Sequence, residues 1–221
     1  MRSDMNFFAL MLRWFSKAVL TIIARMEVEG IERFPEKGPV IVAVNHIHWL
    51  DVPVSIVVVP RLPGPASLLA AEKWHKGFLG WILERSGVVF VRRGEPDRKA
   101  LRRAMEILRA GGLLGVAPEG TRSKTGALQR GKAGTAYLAY KTGAAIVPVG
   151  IWGQEKVFPA LRKLRREAIH VKVGVPFTLP ESGAKVSSKD LDVYADMIME
   201  KIASLLPPEY RGEYGKAKGI G

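Results

Sequence analysis

The run Asn45-His46-Ile47-His48-Trp49-Leu50-Asp51 sets a titratable base and a carboxylate within reach of a single turn. Histidine is suited to take a proton from an alcohol near neutral pH, and a neighbouring aspartate fixes its tautomer and stabilises its charged form. The pair His46 and Asp51 therefore points to acyl or phosphoryl chemistry on a hydroxyl. Two further runs carry charge suited to an anionic ligand. Gly87-Val88-Val89-Phe90-Val91-Arg92-Arg93 ends in two arginines, and Pro118-Glu119-Gly120-Thr121-Arg122-Ser123 joins an arginine to a glycine and a hydroxyl. Arginine clamps phosphate through two parallel hydrogen bonds, Gly120 lets backbone amides approach a ligand, and Thr121 adds a donor. Glu119 is the odd member of an anion site. It either orients Arg122 or another cation through an ion pair, or holds the loop by accepting backbone N–H bonds. A fourth run, Ile146-Val147-Pro148-Val149-Gly150-Ile151, has no titratable group and can only shape a groove.

These residues need elements to hold them. The β-branched run 40–44 leads straight into Asn45, which puts His46 at the carboxyl end of a strand. That is the edge where open α/β sheets bind ligands. Further strand candidates are 67–71, 88–91, 113–117, 146–151 and 169–173. Between them, 97–110 reads as a helix, with Leu101, Ala104, Met105 and Leu108 as its apolar stripe and Gly111-Gly112 as its stop. A last amphipathic helix is expected over 191–206, ended by Pro207-Pro208, followed by a frayed tail over 209–221. The alternation predicts an α/β domain over 26–208, with a mostly parallel central sheet flanked by helices.

With 221 residues, 48% of them hydrophobic, the chain fits one sizeable core. Its lack of cysteine removes disulfides, zinc-thiolate sites and a cysteine nucleophile. A net charge of +13, from 34 Lys and Arg against 21 Asp and Glu, favours a polyanion, either nucleic acid or an anionic lipid surface. The segment 5–24 is strongly apolar but interrupted by Arg13 and Lys17, one helical turn apart. Two central cations are costly in a membrane span, and with Trp14 and Phe15 beside them the helix reads as lying in the interface. Segment 1–25 is thus expected to be an N-terminal membrane-associating anchor, the alternative being a helix that only caps the core. A second basic cluster, Arg162-Lys163-Leu164-Arg165-Arg166, reads as a surface loop touching phospholipid head groups. Against nucleic acid stands the lack of any helix-turn-helix, RNP-like strand or zinc module. The run 126–132 matches most of a Walker A loop, but Ala133 stands where a magnesium-binding hydroxyl is needed and no strand enters it. No Gly-x-Ser-x-Gly elbow is present for a serine hydrolase.

Taken in order, the Asn45-to-Asp51 run, the 87–93 run, Glu119-Gly120-Thr121-Arg122 and Val147-Pro148-Val149 resemble the four motifs of the glycerolipid acyltransferase family. The resemblance covers residues 28–178 and is closest to the 1-acyl-sn-glycerol-3-phosphate acyltransferase branch. It implies a monotopic α/β enzyme at the cytoplasmic face of the membrane. Such an enzyme transfers a fatty acyl group from a coenzyme A or acyl-carrier protein thioester to a lysophospholipid hydroxyl, without cofactor, metal or nucleic acid. Under it His46 is the general base and Asp51 its orienting partner, two thirds of a serine-protease triad with the substrate alcohol in place of the serine. Arg93 and the loop Glu119, Gly120, Thr121 and Arg122 would bind the acceptor phosphate, and Pro148 would line the acyl-donor groove. His48 is then a polar neighbour at the site mouth. Two departures bear on the acceptor. Relatives often carry a basic residue directly after the strand where this chain has Ala70-Ala71-Glu72-Lys73, so Lys73 serves from a shifted position or that contact is missing. Arg92 stands where many relatives have an acidic residue.

Overall fold

The computed structural model describes residues 7–60, 64–92, 97–180 and 186–215. Helix α1 (Phe7–Ile23) leads into strand β1 (Arg25–Glu29), then β2 (Val40–Val44) and α2 (Asp51–Val58). Next come β3 (Ala66–Ala71), α3 (Gly77–Arg85), β4 (Val89–Val91), α4 (Arg98–Arg109) and β5 (Leu113–Val116). The chain continues through α5 (Ala133–Thr142), β6 (Ala145–Trp152), α6 (Val157–Leu161), β7 (Ala168–Val173) and α7 (Ser188–Ala203).

Among the described residues the strands form one sheet in the order β1-β7-β6-β2-β5-β3-β4. Pairing is parallel everywhere except between β6 and β7. The fold is thus the expected α/β architecture with a mostly parallel sheet. Strand β2 is fully buried between β5 and β6, which is why it reads as an unbroken apolar run. Its side chains alternate between two cores. Val40, Val42 and Val44 pack with Leu20 of α1, Val54 of α2 and Val157 of α6. On the other face, Ile41 and Ala43 meet Leu108 of α4, Ala136 of α5 and Ile198 of α7.

Strands β2 to β6 run in one direction, so their carboxyl ends share one edge. Strand β7 is antiparallel to β6, and β1 is parallel to β7, so both start at that same edge. The carboxyl end of α1 and the α6–β7 connection are therefore brought beside it.

Several sequence expectations shift in detail. The final helix starts at Ser188, about a turn before 191, because Ser187 and Asp190 close a capping box. Strand β1 was not expected; its sequence Arg-Met-Glu-Val-Glu is that of a charged edge strand. The frayed tail is corrected for 209–215. Tyr210 is buried and donates to Glu155 Oε1 at 2.6 Å, and the Tyr214 hydroxyl donates to Asp196 at 2.9 Å.

Candidate active site

Asn45 closes β2 and is completely buried. Its side-chain Nδ2 donates to the carbonyl of Ile151 at 2.8 Å, and its Oδ1 accepts the Ile151 N–H at 2.7 Å. This two-way bond fastens the ends of β2 and β6 where the chain leaves the sheet, and it fixes where His46 begins.

Asp51, the first residue of α2, folds the loop around its own carboxylate. Oδ2 lies 2.7 Å from His46 Nδ1 and accepts the N–H groups of Ile47 at 2.8 Å and His48 at 2.9 Å. Oδ1 accepts Gln154 Nε2 at 2.6 Å. A carboxylate so fully engaged is held in position. With Nδ1–H donated to Asp51, the His46 imidazole presents Nε2 as its free base. The His46 side chain is 20% exposed and that of Asp51 only 3%, so the imidazole is partly open to solvent while its partner is shielded.

The main chain of His46 is clamped from the neighbouring strand end. Its N–H donates to Glu119 Oε1 at 2.8 Å, and its carbonyl accepts the Ser123 N–H at 2.7 Å. Glu119 Oε2 accepts the N–H of Gln129 at 3.0 Å and its Nε2 at 3.3 Å. Of the two roles expected for Glu119, holding the loop through backbone donors is the one observed, and no ion pair joins it to Arg122 among the described residues. Burial pushes the Glu119 carboxyl above its ordinary range, partly offset by the hydrogen bonds from His46 and Gln129.

Gly120 adopts a φ of 69°, in the left-handed region, and a Cβ there would come 3.0 Å from the side chain of Lys132. Lys132 therefore lies over this loop, beside the exposed Arg122 and the half-buried Thr121. Arg122 reaches His48 electrostatically: burial lowers the His48 pKa, and Arg122 adds to that lowering. A neutral His48 also fits its Nδ1, which accepts the Leu50 N–H at 3.3 Å. Trp49 stacks on Phe158 with centroids 5.3 Å apart, forming an aromatic wall next to His48.

Lys73 and Arg92 follow β3 and β4, further along the same carboxyl edge on the β5 side of β2. Lys73 is exposed, its Nζ 5.3 Å from the Trp74 ring, and Arg92 pairs with Glu72 at 3.2 Å. Arg93 lies outside the described residues. Pro148 is buried within β6 opposite Ala43, and its ring leaves room only for glycine at 174, so it packs the sheet. The run 126–132 is no phosphate loop. Leu128 is buried there, and its N–H donates to the Tyr210 carbonyl at 2.9 Å. Sequence reasoning missed Gln154, Gln129 and Lys132. The usable signal for Gln154 was its place just past a strand expected to end at the dyad's edge.

Similarity to known proteins agrees with this geometry. Residues 25–152 match the family model described as Acyltransferase. The chain is 32% identical over 148 residues to the chloroplastic 1-acyl-sn-glycerol-3-phosphate acyltransferase LPAT1 of Arabidopsis thaliana, covering 61% of this chain and 38% of that protein. It is 31% identical over 139 residues to the lyso-ornithine lipid O-acyltransferase of Pseudomonas aeruginosa, covering 62% of this chain and 51% of that one. The chain thus spans about half or less of these relatives' lengths. The crystal structure of the 1-acyl-sn-glycerophosphate acyltransferase PlsC from Thermotoga maritima superposes with a TM-score of 0.68 at 28% identity, covering 89% of this chain and 78% of that one. The matched span encloses the His46–Asp51 dyad and the loop that clamps it, and the chain belongs to the acyltransferase family.

Proposed function

We propose that this protein transfers a fatty acyl group from a coenzyme A or acyl-carrier protein thioester to the free hydroxyl of 1-acyl-sn-glycerol-3-phosphate, giving phosphatidic acid. The observation that carries the reading is the 2.7 Å contact between His46 Nδ1 and Asp51 Oδ2 at the carboxyl edge of the sheet. His46 Nε2 takes the proton of the acceptor hydroxyl as its oxygen attacks the thioester carbonyl. The C–S bond then breaks, the ester C–O bond remains, and the leaving thiolate recovers the proton from His46. Asp51 stabilises the imidazolium between the two transfers. No acyl-enzyme is needed, and the thioester supplies the driving force without a cofactor.

The acceptor phosphate is assigned to Arg122, Thr121 and the Gly120 backbone, with Lys132 beside them. Lys73 and Arg93 are the remaining head-group candidates, and Pro148 acts on any donor groove only by packing β6. The outer face of α1 carries Phe7, Met11, Trp14, Phe15 and Ile22, all exposed. No helix of the described residues is long and apolar enough to cross a membrane. This face, with the +13 charge, supports a peripheral enzyme on an anionic leaflet, and the cysteine-free composition fits its cytoplasmic side.

A different lyso-lipid acceptor is the second reading. It is favoured by Lys73, which lies against Trp74, and by the relative named for lyso-ornithine lipid. A mass-spectrometric screen of acceptors in mixed micelles, with both donor types, separates the two. Phosphatidic acid as the main product supports the first reading, and preference for a phosphate-free acceptor replaces it with the second.

A further inference from the structure

The α6–β7 connection ends helix α6 with a Schellman turn. The Arg165 N–H donates to the Ala160 carbonyl at 3.0 Å and the Leu164 N–H to the Leu161 carbonyl at 2.9 Å. The residue after such a helix end takes a left-handed conformation, and glycine or asparagine normally occupies it. Here it is Leu164, at φ 55°, the one non-glycine residue with positive φ among those described. Its side chain gains nothing from the protein interior, because Leu164 is 98% exposed. A lone exposed leucine is ordinary, but this one is held in a conformation its side chain disfavours, at the apex of a turn with Arg162, Lys163, Arg165 and Arg166 around it.

The turn's position gives that arrangement a use. Arg166 donates to the carbonyls of Thr21 and Ala24, tying the turn to the carboxyl end of α1. Topology places this junction at the carboxyl edge of the sheet, the edge that carries His46. Helices α1, α2 and α6 also cover the same sheet face. We propose that the Arg162-to-Arg166 turn is a second membrane contact, in which Leu164 enters the acyl region of an anionic bilayer while Arg162, Lys163 and Arg165 bind lipid phosphates. An apolar tip ringed by cations complements a negative leaflet, whereas a nucleic acid would leave the leucine without a partner. This rests on the membrane-surface reading above and adds to it a footing at the same sheet edge as the dyad, which keeps the catalytic edge against the lipid.

The absence of native cysteine allows a direct test. The full chain carrying Leu164→Cys, labelled with a polarity-sensitive nitrobenzoxadiazole probe, is mixed with phosphatidylcholine vesicles with or without phosphatidylglycerol. Phe15→Cys on α1 is the parallel reporter. Blue shifts at both positions with phosphatidylglycerol vesicles are expected. A probe at 164 that stays aqueous while the probe at 15 shifts overturns the proposal and leaves membrane binding by α1 intact. Silence at both positions removes the membrane-surface reading with it, and a response at 164 to polynucleotide but not vesicles also overturns the proposal. Leu164→Asn supplies a second reading, since asparagine tolerates the left-handed conformation. It should melt at higher temperature than the parent yet bind anionic vesicles roughly tenfold more weakly. Unchanged vesicle binding by that variant contradicts the proposal.

Discussion

Gln154 Nε2 donates to Asp51 Oδ1 at 2.6 Å, from a side chain with no solvent exposure. The Gln154 Oε1 is buried without a hydrogen-bond partner among the described residues, so the amide acts there as a donor, closely to Asp51 and at 3.5 Å to the Ile151 carbonyl. Gln154 is thus a positioning residue acting on His46 through Asp51. A hydrogen bond to a charged group contributes about 1.5–3 kcal/mol, so Gln154→Leu should lower kcat roughly ten- to a hundredfold with little change in acceptor KM. Gln154→Glu should move the acid limb of the pH–rate profile to higher pH, because a second negative charge favours protonated His46. A wild-type profile in both variants would leave Gln154 only a structural part.

Glu119 links loop integrity to pH. Its carboxyl is held above the ordinary value of 4.5 by burial, so as pH rises past 4.5 the unfolded chain loses this proton before the folded one. The folded state then binds more protons, and Glu119's contribution to stability falls with rising pH until its own raised pKa is passed. Glu119→Gln removes that slope and sets an amide N–H₂ against the backbone donors of His46 or Gln129, costing about 1–3 kcal/mol. Urea unfolding of both proteins across the acid range should show wild type losing part of its advantage as pH rises. A constant gap contradicts this.

Arg13 has a role that its sequence context disguised. Its Nη1 donates to the carbonyls of Ile56 at 2.6 Å and Val59 at 2.8 Å, at the carboxyl end of α2. The cation interrupting the apolar helix therefore caps the helix that begins with Asp51. Arg13→Gln should lower stability by about 1–2 kcal/mol, read from thermal or urea unfolding. A variant as stable as wild type would show the cap to be idle.

Arg122 should distinguish acceptors. Arg122→Gln is expected to raise KM for lysophosphatidate about tenfold or more, while transfer to a phosphate-free lyso-lipid changes little. Equal loss with both acceptors argues against a phosphate clamp.

How far the sequence could be read follows from how contacts are made. His46 and Asp51 were legible because one turn joins them, and strands 40–44 and 169–173 because β-branched runs mark them. Gln154 was not, because it reaches Asp51 only through the parallel pairing of β6 with β2. Lys132 was hidden for the same kind of reason, since the positive φ of Gly120 is what brings that loop beneath it. Helix α2 went unassigned because its valines and Pro53 look strand-like or helix-breaking, yet Pro53 sits in the first turn, where no helical N–H is needed. Leu164 could not stand out, as nothing in a basic run announces a left-handed backbone.

His46 as general base is most directly tested by His46→Ala in the purified full chain, with acyl thioester and lysophosphatidic acid in mixed micelles and circular dichroism to confirm the fold. Removing a positioned general base should lower kcat by about 10²–10⁴-fold, with the spectrum unchanged. Transfer within a few-fold of wild type by a folded variant would contradict the account.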